Sequence, residues 1–468
     1  MRAPTVLRLK SAALSSTLLA TCWILASPGT ADAQNAAPPP PPMAAPAPPP
    51  PPPGPPPLID LSGMGKAYGD MLKSYGIYLN GGFETNFFGY IGGRKQGAEG
   101  QGEDTIGADL DLHQMFGLPG SAIHISVDDR WGANPSRFDG SGISSMANYG
   151  PNDTVRLGEL SWDQDLLNDH VRILVGRIAD NIDFSSNDQG IYCQFLLSTC
   201  GQVNSWYFNN GNPSYPVATW GGRVTLKPTL TSYFRFGAYQ ETSIQGTNFA
   251  YNRTFDFGHN TGVFIPVELG YKTNFDQDPF PRGFDIGGWY DSSHFTEPGV
   301  SVPTQFRQGR SAVYIQGSQM VFRPDMSSHR GITVFGEAQF DTANNGPIAE
   351  QLVAGMSWTG PFIGRPEDRL QFAANWWRWN RNWLTAFDAA NFPAHQAASE
   401  WQLELDYNYA LGPGITIQPV VAYIINPDYE FGLFTPTRKS NSSAWLLGAQ
   451  LAIGLNGAFG LPAFARTN

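Results

Sequence analysis

Sixteen stretches of this chain alternate apolar with polar residues, and that repeat constrains the fold more than any other feature. In 400–409, Trp401, Leu403, Leu405, Tyr407 and Tyr409 fall on one side, and Glu400, Gln402, Glu404, Asp406 and Asn408 on the other. Successive side chains of a strand point to opposite faces, so each such stretch is a β-strand with one oily and one hydrophilic surface. The pattern is equally clear in 121–131, 230–240 and 331–341. It also covers 78–89, 105–115, 155–163, 171–178, 219–227, 263–271, 283–291, 351–359, 415–424 and 444–455, and less regularly 311–322 and 369–379. Almost no helical period is present. The exception is 62–76, SGMGKAYGDMLKSYG, which predicts a short helix starting at Ser62.

The connections carry a second regularity. Those at 116–120, 164–170, 228–229 and 410–414 are short, although 272–282 is longer. Those at 132–154, 179–218, 241–262, 292–310, 380–399 and 425–443 are long. One rim of the sheet therefore has tight turns and the other has long loops. A soluble sandwich or propeller has no reason to sort loop lengths by parity, whereas outer-membrane barrels have short periplasmic turns and long external loops. An even number of half-oily strands closes without an edge, as a sheet in lipid must. The expected fold is an all-β, sixteen-stranded antiparallel transmembrane β-barrel over 78–468, its apolar faces toward hydrocarbon and its polar faces toward a water-filled lumen. Trp131, Trp162, Trp220, Trp401, Tyr409 and Trp445, near strand ends, suit an interfacial belt.

The first 33 residues read as a secretory leader. Arg2, Arg8 and Lys10 precede an apolar run from about Ala12 to Ala26, and Ala31-Asp32-Ala33 is a small-residue cleavage pattern. No later segment offers the roughly 20 apolar residues of a membrane helix. Residues 34–57 form a proline-rich spacer, with 15 prolines between 38 and 57. Such a tract extends as polyproline II, up to about 60 Å at ~3.1 Å per residue. It reads as a disordered linker, with a contact to peptidoglycan as the alternative; 58–77 is a short N-terminal segment before the barrel. The formal net charge of −11 speaks against nucleic acid as a partner. Cys22 leaves with the leader. Cys193 and Cys200 remain, in an oxidising compartment, and read as a loop-closing disulfide, with no metal-site spacing. Neither G-x-S-x-G nor H-E-x-x-H occurs, so the sequence suggests no enzyme and calls for no cofactor.

Particular stretches are also familiar. VRILVGRIADNIDF (171–184), IYCQF (191–195) and YPVATWGGRVTLKP (215–228), supported by 73–89 and 400–430, resemble the carbohydrate-selective porins of the bacterial outer membrane, the OprB type. In order and spacing the resemblance covers most of 60–455. It implies a sixteen-stranded barrel whose lumen favours glucose and other small sugars, which cross passively to the periplasm. Such barrels usually end in an aromatic on the last strand; here the chain runs on as NGAFGLPAFARTN, with Phe464 as the late aromatic.

A barrel of this size leaves an aqueous channel, and selectivity needs a constriction. The longest connection, 179–218, is the natural supplier: Asp183, Tyr192, Phe195 and Trp206 mix a carboxylate with aromatics, and Cys193–Cys200 would fix its shape. By parity Arg130, Glu159, Arg223, Arg235, Glu268 and Glu337 point inward. Arg177 shares parity with Val171, Ile173 and Val175 on the apolar side. It sits at a strand end, where a bulge would turn it inward, and the family motif has a basic residue there. Guanidinium groups, carboxylates and aromatic rings together suit neutral polyhydroxylated solutes, whose hydroxyls both donate and accept hydrogen bonds. Two other readings compete: a general or anion-preferring porin, which should show a ladder of inward Arg and Lys, and a structural barrel linked to the cell wall.

Overall fold

The structure, a computed structural model, describes residues 56–92, 96–133, 154–179, 183–185, 204–210, 215, 217–242, 258–296, 306–390, 396–427 and 443–465. The leader, the proline-rich tract before residue 56, Tyr192, Phe195, Cys193 and Cys200 lie outside the described residues.

Helix α1 (Ser62–Lys73) precedes a closed sheet. Its first strands are β1 (Ile77–Gly92), β2 (Gly97–Asp111), β3 (Ser121–Gly132), β4 (Thr154–Leu166), β5 (Val171–Ile178), β6 (Thr219–Leu226), β7 (Ser232–Thr242) and β8 (Asn260–Lys272). The circuit continues through β9 (Arg282–Thr296), β10 (Phe306–Phe322), β11 (Gly331–Asp341), β12 (Ile348–Thr359), β13 (Arg369–Trp379), β14 (Ser399–Gly412), β15 (Ile415–Ile425) and β16 (Ser443–Gly454). Four short helices interrupt or follow it: α2 (Leu112–Phe116), α3 (Asn204–Asn209), α4 (Arg381–Ala390) and α5 (Leu455–Phe459). Each strand pairs antiparallel with its chain neighbours, and β1 closes on β16 from Gly82↔Gly454 to Gly92↔Ala444. No helix among the described residues is long and apolar enough to cross a membrane, so the strands are the crossing elements.

The faces are inverted relative to a soluble protein. In β6, Arg223 and Thr225 are 6% and 2% exposed, while Val224 and Leu226, between and beyond them, are 36% and 40% exposed. Phe87, Ile106, Leu269, Ile286, Ile315 and Leu405 likewise stand on the outer surface. Exposed Trp162, Trp401 and Trp445 sit among them; Trp401 packs on Trp376 at 6.1 Å between ring centroids and Trp445 on Tyr423 at 4.6 Å. Inside, Asp128, Glu268, Asp291, Gln351, Glu400 and Asp406 are buried.

One strand differs from the expected 105–115. It runs over 97–111, and the chain then turns helical. The Asp111 carboxylate accepts from the backbone N–H of His113 (2.9 Å) and Gln114 (3.1 Å), and Gly117 closes α2 in the left-handed region, at φ 72°. The first half of β2 lacks large outward side chains because its neighbour supplies them. A Cβ on Gly102 would lie 2.3 Å from the Trp131 ring, so the indole of β3 covers Gly102, with Phe83 of β1 at 6.4 Å. Two connections on the long-loop rim, 93–96 and 342–347, are short.

The two ends of the barrel chain meet at the short-turn rim. Asn456 of α5 donates to the Leu79 carbonyl (2.9 Å), and α5 packs against α1. Phe464 lies beyond the last strand and turns into the barrel mouth, edge-on to Tyr78 (5.3 Å) and His124 (5.8 Å).

On the same rim, Asp368 ends the turn before β13 and ties it to β14. Its carboxylate accepts from Arg365 Nε (2.8 Å) and Nη2 (2.6 Å), from the Tyr407 hydroxyl and from the Ala410 N–H (3.1 Å). The Arg365 guanidinium lies 3.8 Å over the Tyr409 ring. Burial works to raise the Asp368 pKa, but these donors outweigh it and hold the carboxyl below its ordinary range. A depressed folded-state pKa contributes stability above the unfolded value of about 3.9, which is lost as pH falls through the folded value. Asp368→Asn should therefore lower the thermal unfolding transition in detergent at pH 7, with the gap to wild type closing below about pH 4. A gap equal at pH 7 and pH 3 would exclude this clasp.

Candidate functional site in the barrel lumen

The inward face of β7, β8 and β10 converges on one carboxylate. Glu268 accepts from the hydroxyls of Tyr233 (2.8 Å) and Tyr314 (2.7 Å), from the Ser185 N–H (2.9 Å) and from Arg235 Nη1 (3.4 Å). The tyrosines reach it by lying flat along the wall, which neighbouring strands permit only by omitting a side chain. A Cβ on Gly270 would meet the Tyr233 ring at 2.2 Å, and one on Gly287 the Tyr314 ring at 2.3 Å. A buried carboxylate needs such donors to remain charged.

Ser185 belongs to the connection between β5 and β6, and its described residues fold inward. Asp183 accepts from Arg223 Nε at 2.5 Å, and its carbonyl accepts from Arg235. Phe184 is fully buried beside Tyr239, with the Arg235 guanidinium 5.7 Å from its ring centroid. The Ser185 hydroxyl donates to Glu337 on β11 (3.0 Å). Further along, α3 docks on β12. The Ser205 N–H donates to Gln351 (2.8 Å), and Asn209 exchanges two hydrogen bonds with the Ile348 backbone, at 2.6 and 2.9 Å. Trp206 is buried among Phe264 (5.5 Å), Tyr314 (5.7 Å) and Trp289 (6.3 Å). Tyr215 then reaches the opposite side of the strap's origin: its hydroxyl bonds Asp128 and Thr105 (3.1 Å), and its carbonyl accepts from Arg130 (3.3 Å). The described residues of this connection, the strap, are thus fastened at β6–β8, at β11–β12 and at β2–β3.

The inward-parity expectation holds for Arg130, Glu159, Arg223, Arg235, Glu268 and Glu337, and Asp183 meets Arg223 and Arg235 as part of one network. Glu159 stands apart from it and accepts from Ser161 (2.6 Å). Trp206 packs within the aromatic cluster and offers no open ring face. Arg177 departs from the expectation. Pairing runs unbroken from Val171 to Ile178 against β6, so no bulge turns it. Leu174 and Ile178 take the inner side, with Phe184 and Trp206. Arg177 keeps the outer parity and is buried at the strand end, its Nε donating to the Ala218 carbonyl (3.2 Å).

A second polar group escapes sequence reasoning. His124 of β3 lies between Asp109 of β2 (Nδ1 to Oδ1 2.5 Å) and Asp163 of β4 (3.4 Å), and Arg172 of β5 donates to Asp163 (2.9 Å). Phe464 covers His124. Alternation places His124 inward, but its carboxylate partners come from two other strands and Arg172, which holds Asp163, from a third.

A sixteen-stranded barrel, an inward strap and a lumen of paired charges describe a channel, and the family comparison agrees. The family model described as carbohydrate-selective porin, OprB family, matches residues 95–455. The chain belongs to this family. Among curated relatives of this OprB-family porin is QuiX of Acinetobacter baylyi, a protein assigned as a porin. It is 24% identical over 388 residues, covering 76% of this chain and 83% of that protein. Among solved structures, the high-pH structure of Pseudomonas putida OprB superposes with a TM-score of 0.74 at 18% identity, covering 85% of this chain and 99% of that one. The low-pH structure of the same protein gives 0.53 at 17% identity, covering 84% and 99%. At these identities the structural likeness shows the fold.

Glu268 is one fastening point of the strap, through the Ser185 N–H. Glu268→Ala leaves Tyr233, Tyr314 and the Ser185 N–H without their acceptor, weakening the attachment by about 2 kcal/mol or more. Single-channel conductance in KCl should rise while the folded barrel keeps its heat-dependent gel mobility. Unchanged conductance would remove Glu268 as a fastening point.

Proposed function

We propose that this OprB-family porin resides in a bacterial outer membrane and admits glucose and other small neutral sugars to the periplasm by passive, selective diffusion. The observation that carries this reading is the pairing of charges along the lumen. Arg130 faces Glu103, Arg172 faces Asp163, Arg223 faces Asp183, Arg235 faces Glu268 and Arg310 faces Asp291. An anion pore would need basic groups free of such partners. Paired groups present little net field, yet keep lone pairs and N–H groups for a solute with both donors and acceptors. Arg130, Asp183, Arg223, Arg235, Glu268 and the strap around them are the residues assigned to the sugar path.

Binding must stay weak, since a solute that cannot leave blocks the channel. Proteoliposome swelling should be faster with glucose than with gluconate, a charged solute of similar size, and slower with larger oligosaccharides. Equal rates for glucose and gluconate would overturn sugar selectivity and leave the barrel intact. Arg223→Ala should raise the glucose concentration that half-inhibits channel current by about tenfold, the loss of one charged hydrogen bond. An unchanged value would remove Arg223 from the path.

A further inference from the structure

The described residues of the strap are fastened at β2–β3, β6–β8 and β11–β12, and the seam where β16 meets β1 carries a different chemistry. In a closed ring of sixteen strands, β16 and β1 stand half a turn from β8 and β9. There the sheet register lines up four amides on consecutive strands: Gln418 of β15 opposite Gln450 of β16, Gln450 opposite Asn86 of β1, and Asn86 opposite Gln101 of β2. All four are buried, and their parity is inward, since Ile417, Phe87 and Leu447 stand on the outer surface. The row spans three strand spacings, about 14 Å.

Amides on a sheet normally satisfy one another, as they do between β12, β13 and β14. Gln351 donates to Asn375 (2.8 Å), and Asn375 donates to Gln402 (3.2 Å). In the row at the seam, Gln418 accepts from Asn408 (3.4 Å), but its two central members differ. Both polar atoms of Asn86 and Oε1 of Gln450 are buried with no hydrogen-bond partner. A buried amide left unpaired costs free energy, and such groups in a native structure call for an explanation. No charged residue belongs to this row. It offers donors and acceptors in equal number, with the Asp406 carboxylate of β14 beside Gln418.

We propose that the Gln418–Gln450–Asn86–Gln101 row is a binding wall for the hydroxyl groups of neutral sugars, long enough to hold more than one sugar ring. This deepens the sugar-porin reading and rests on it. A solute moving along the wall exchanges water for these amides one after another. The unpaired atoms of Asn86 and Gln450 accept and donate as it passes, and the low affinity of each pair keeps it moving. The four amides carry no charge themselves, so they take hydroxyl groups through hydrogen bonds alone.

The test is a pair of near-isosteric apolar replacements, Asn86→Leu and Gln450→Met, combined in the full-length protein and studied in planar bilayers. The maltose concentration that half-inhibits KCl current should rise about fivefold, with a smaller rise for glucose and no change in KCl conductance. Inhibition by maltose equal to that of the wild type would overturn the wall and leave the porin reading standing. A wild-type channel that no sugar inhibits or crosses would instead overturn the porin reading, and the wall with it. Should the apolar variant not fold, Asn86→Asp with Gln450→Glu keeps the shape and adds charge. That variant should shift the reversal potential in a KCl gradient toward cation preference, and an unshifted potential would exclude these residues from the lumen.

Discussion

Closure of the sheet, β1 on β16, is the constraint from which the rest follows. In hydrocarbon no water is present to bond an open edge, and each unpaired backbone group costs several kcal/mol. Eleven consecutive residue pairs, from Gly82↔Gly454 to Gly92↔Ala444, remove that edge. Once closed, the sheet has only an outside and an inside. The outside must match lipid, where a charge at mid-depth costs about 2–4 kcal/mol, so the charges of the chain have one place to go. The inside then fills with Asp, Glu, Arg and amides, and they must find partners there or stay in contact with water.

That second requirement shapes the lumen. Glu268 is held by two tyrosines, a backbone N–H and an arginine, and Asp183 by Arg223. The strap supplies some of these donors and receives others, so the groups that narrow the channel also satisfy the wall. The result is asymmetric. From β2 to β8 the inner face is rich in ion pairs and fastened at several points to the strap, whereas β12 to β16 with β1 carries amides and apolar residues together with the β14 carboxylates Glu400, Glu404 and Asp406. Phe88, Tyr90, Ile424 and Leu446, all inward by register, form a buried apolar cluster beside the amide row.

The alternation of side chains was enough to read the number of strands, their faces and most of their limits, because lipid on one side and water on the other demand it of every strand. It failed at β2, where Gly100 and Gly102 replace the oily positions, and Trp131 from the next strand covers Gly102 while Phe87 of β1 lies beside Gly100. It also gave no hint of α2, which depends on the Asp111 cap. For the site, parity sufficed for Arg223, Arg235 and Glu268, since direction alone decides whether a lumen group can take part. It could not find the roles of Tyr233 and Tyr314, because the room that Gly270 and Gly287 make for their rings is a cross-strand property. Nor could it join His124 to Asp109, Asp163 and Arg172, because cross-strand register is a tertiary property. Arg177 shows the opposite error. A family motif argued for a bulge, but Leu174 and Ile178 already claim the inner side of β5, and a bulge would have expelled one of them from the aromatic cluster.

An ion pair and an unpaired amide do different work in such a channel. The Arg–carboxylate pairs hold geometry: each partner is largely committed to the other, and a passing hydroxyl must compete for it. Asn86 and Gln450 have no such commitment. Selectivity among neutral solutes needs both, because a rigid aperture sorts by size, while weak uncommitted bonds lower the barrier for solutes that can replace water hydrogen bond for hydrogen bond.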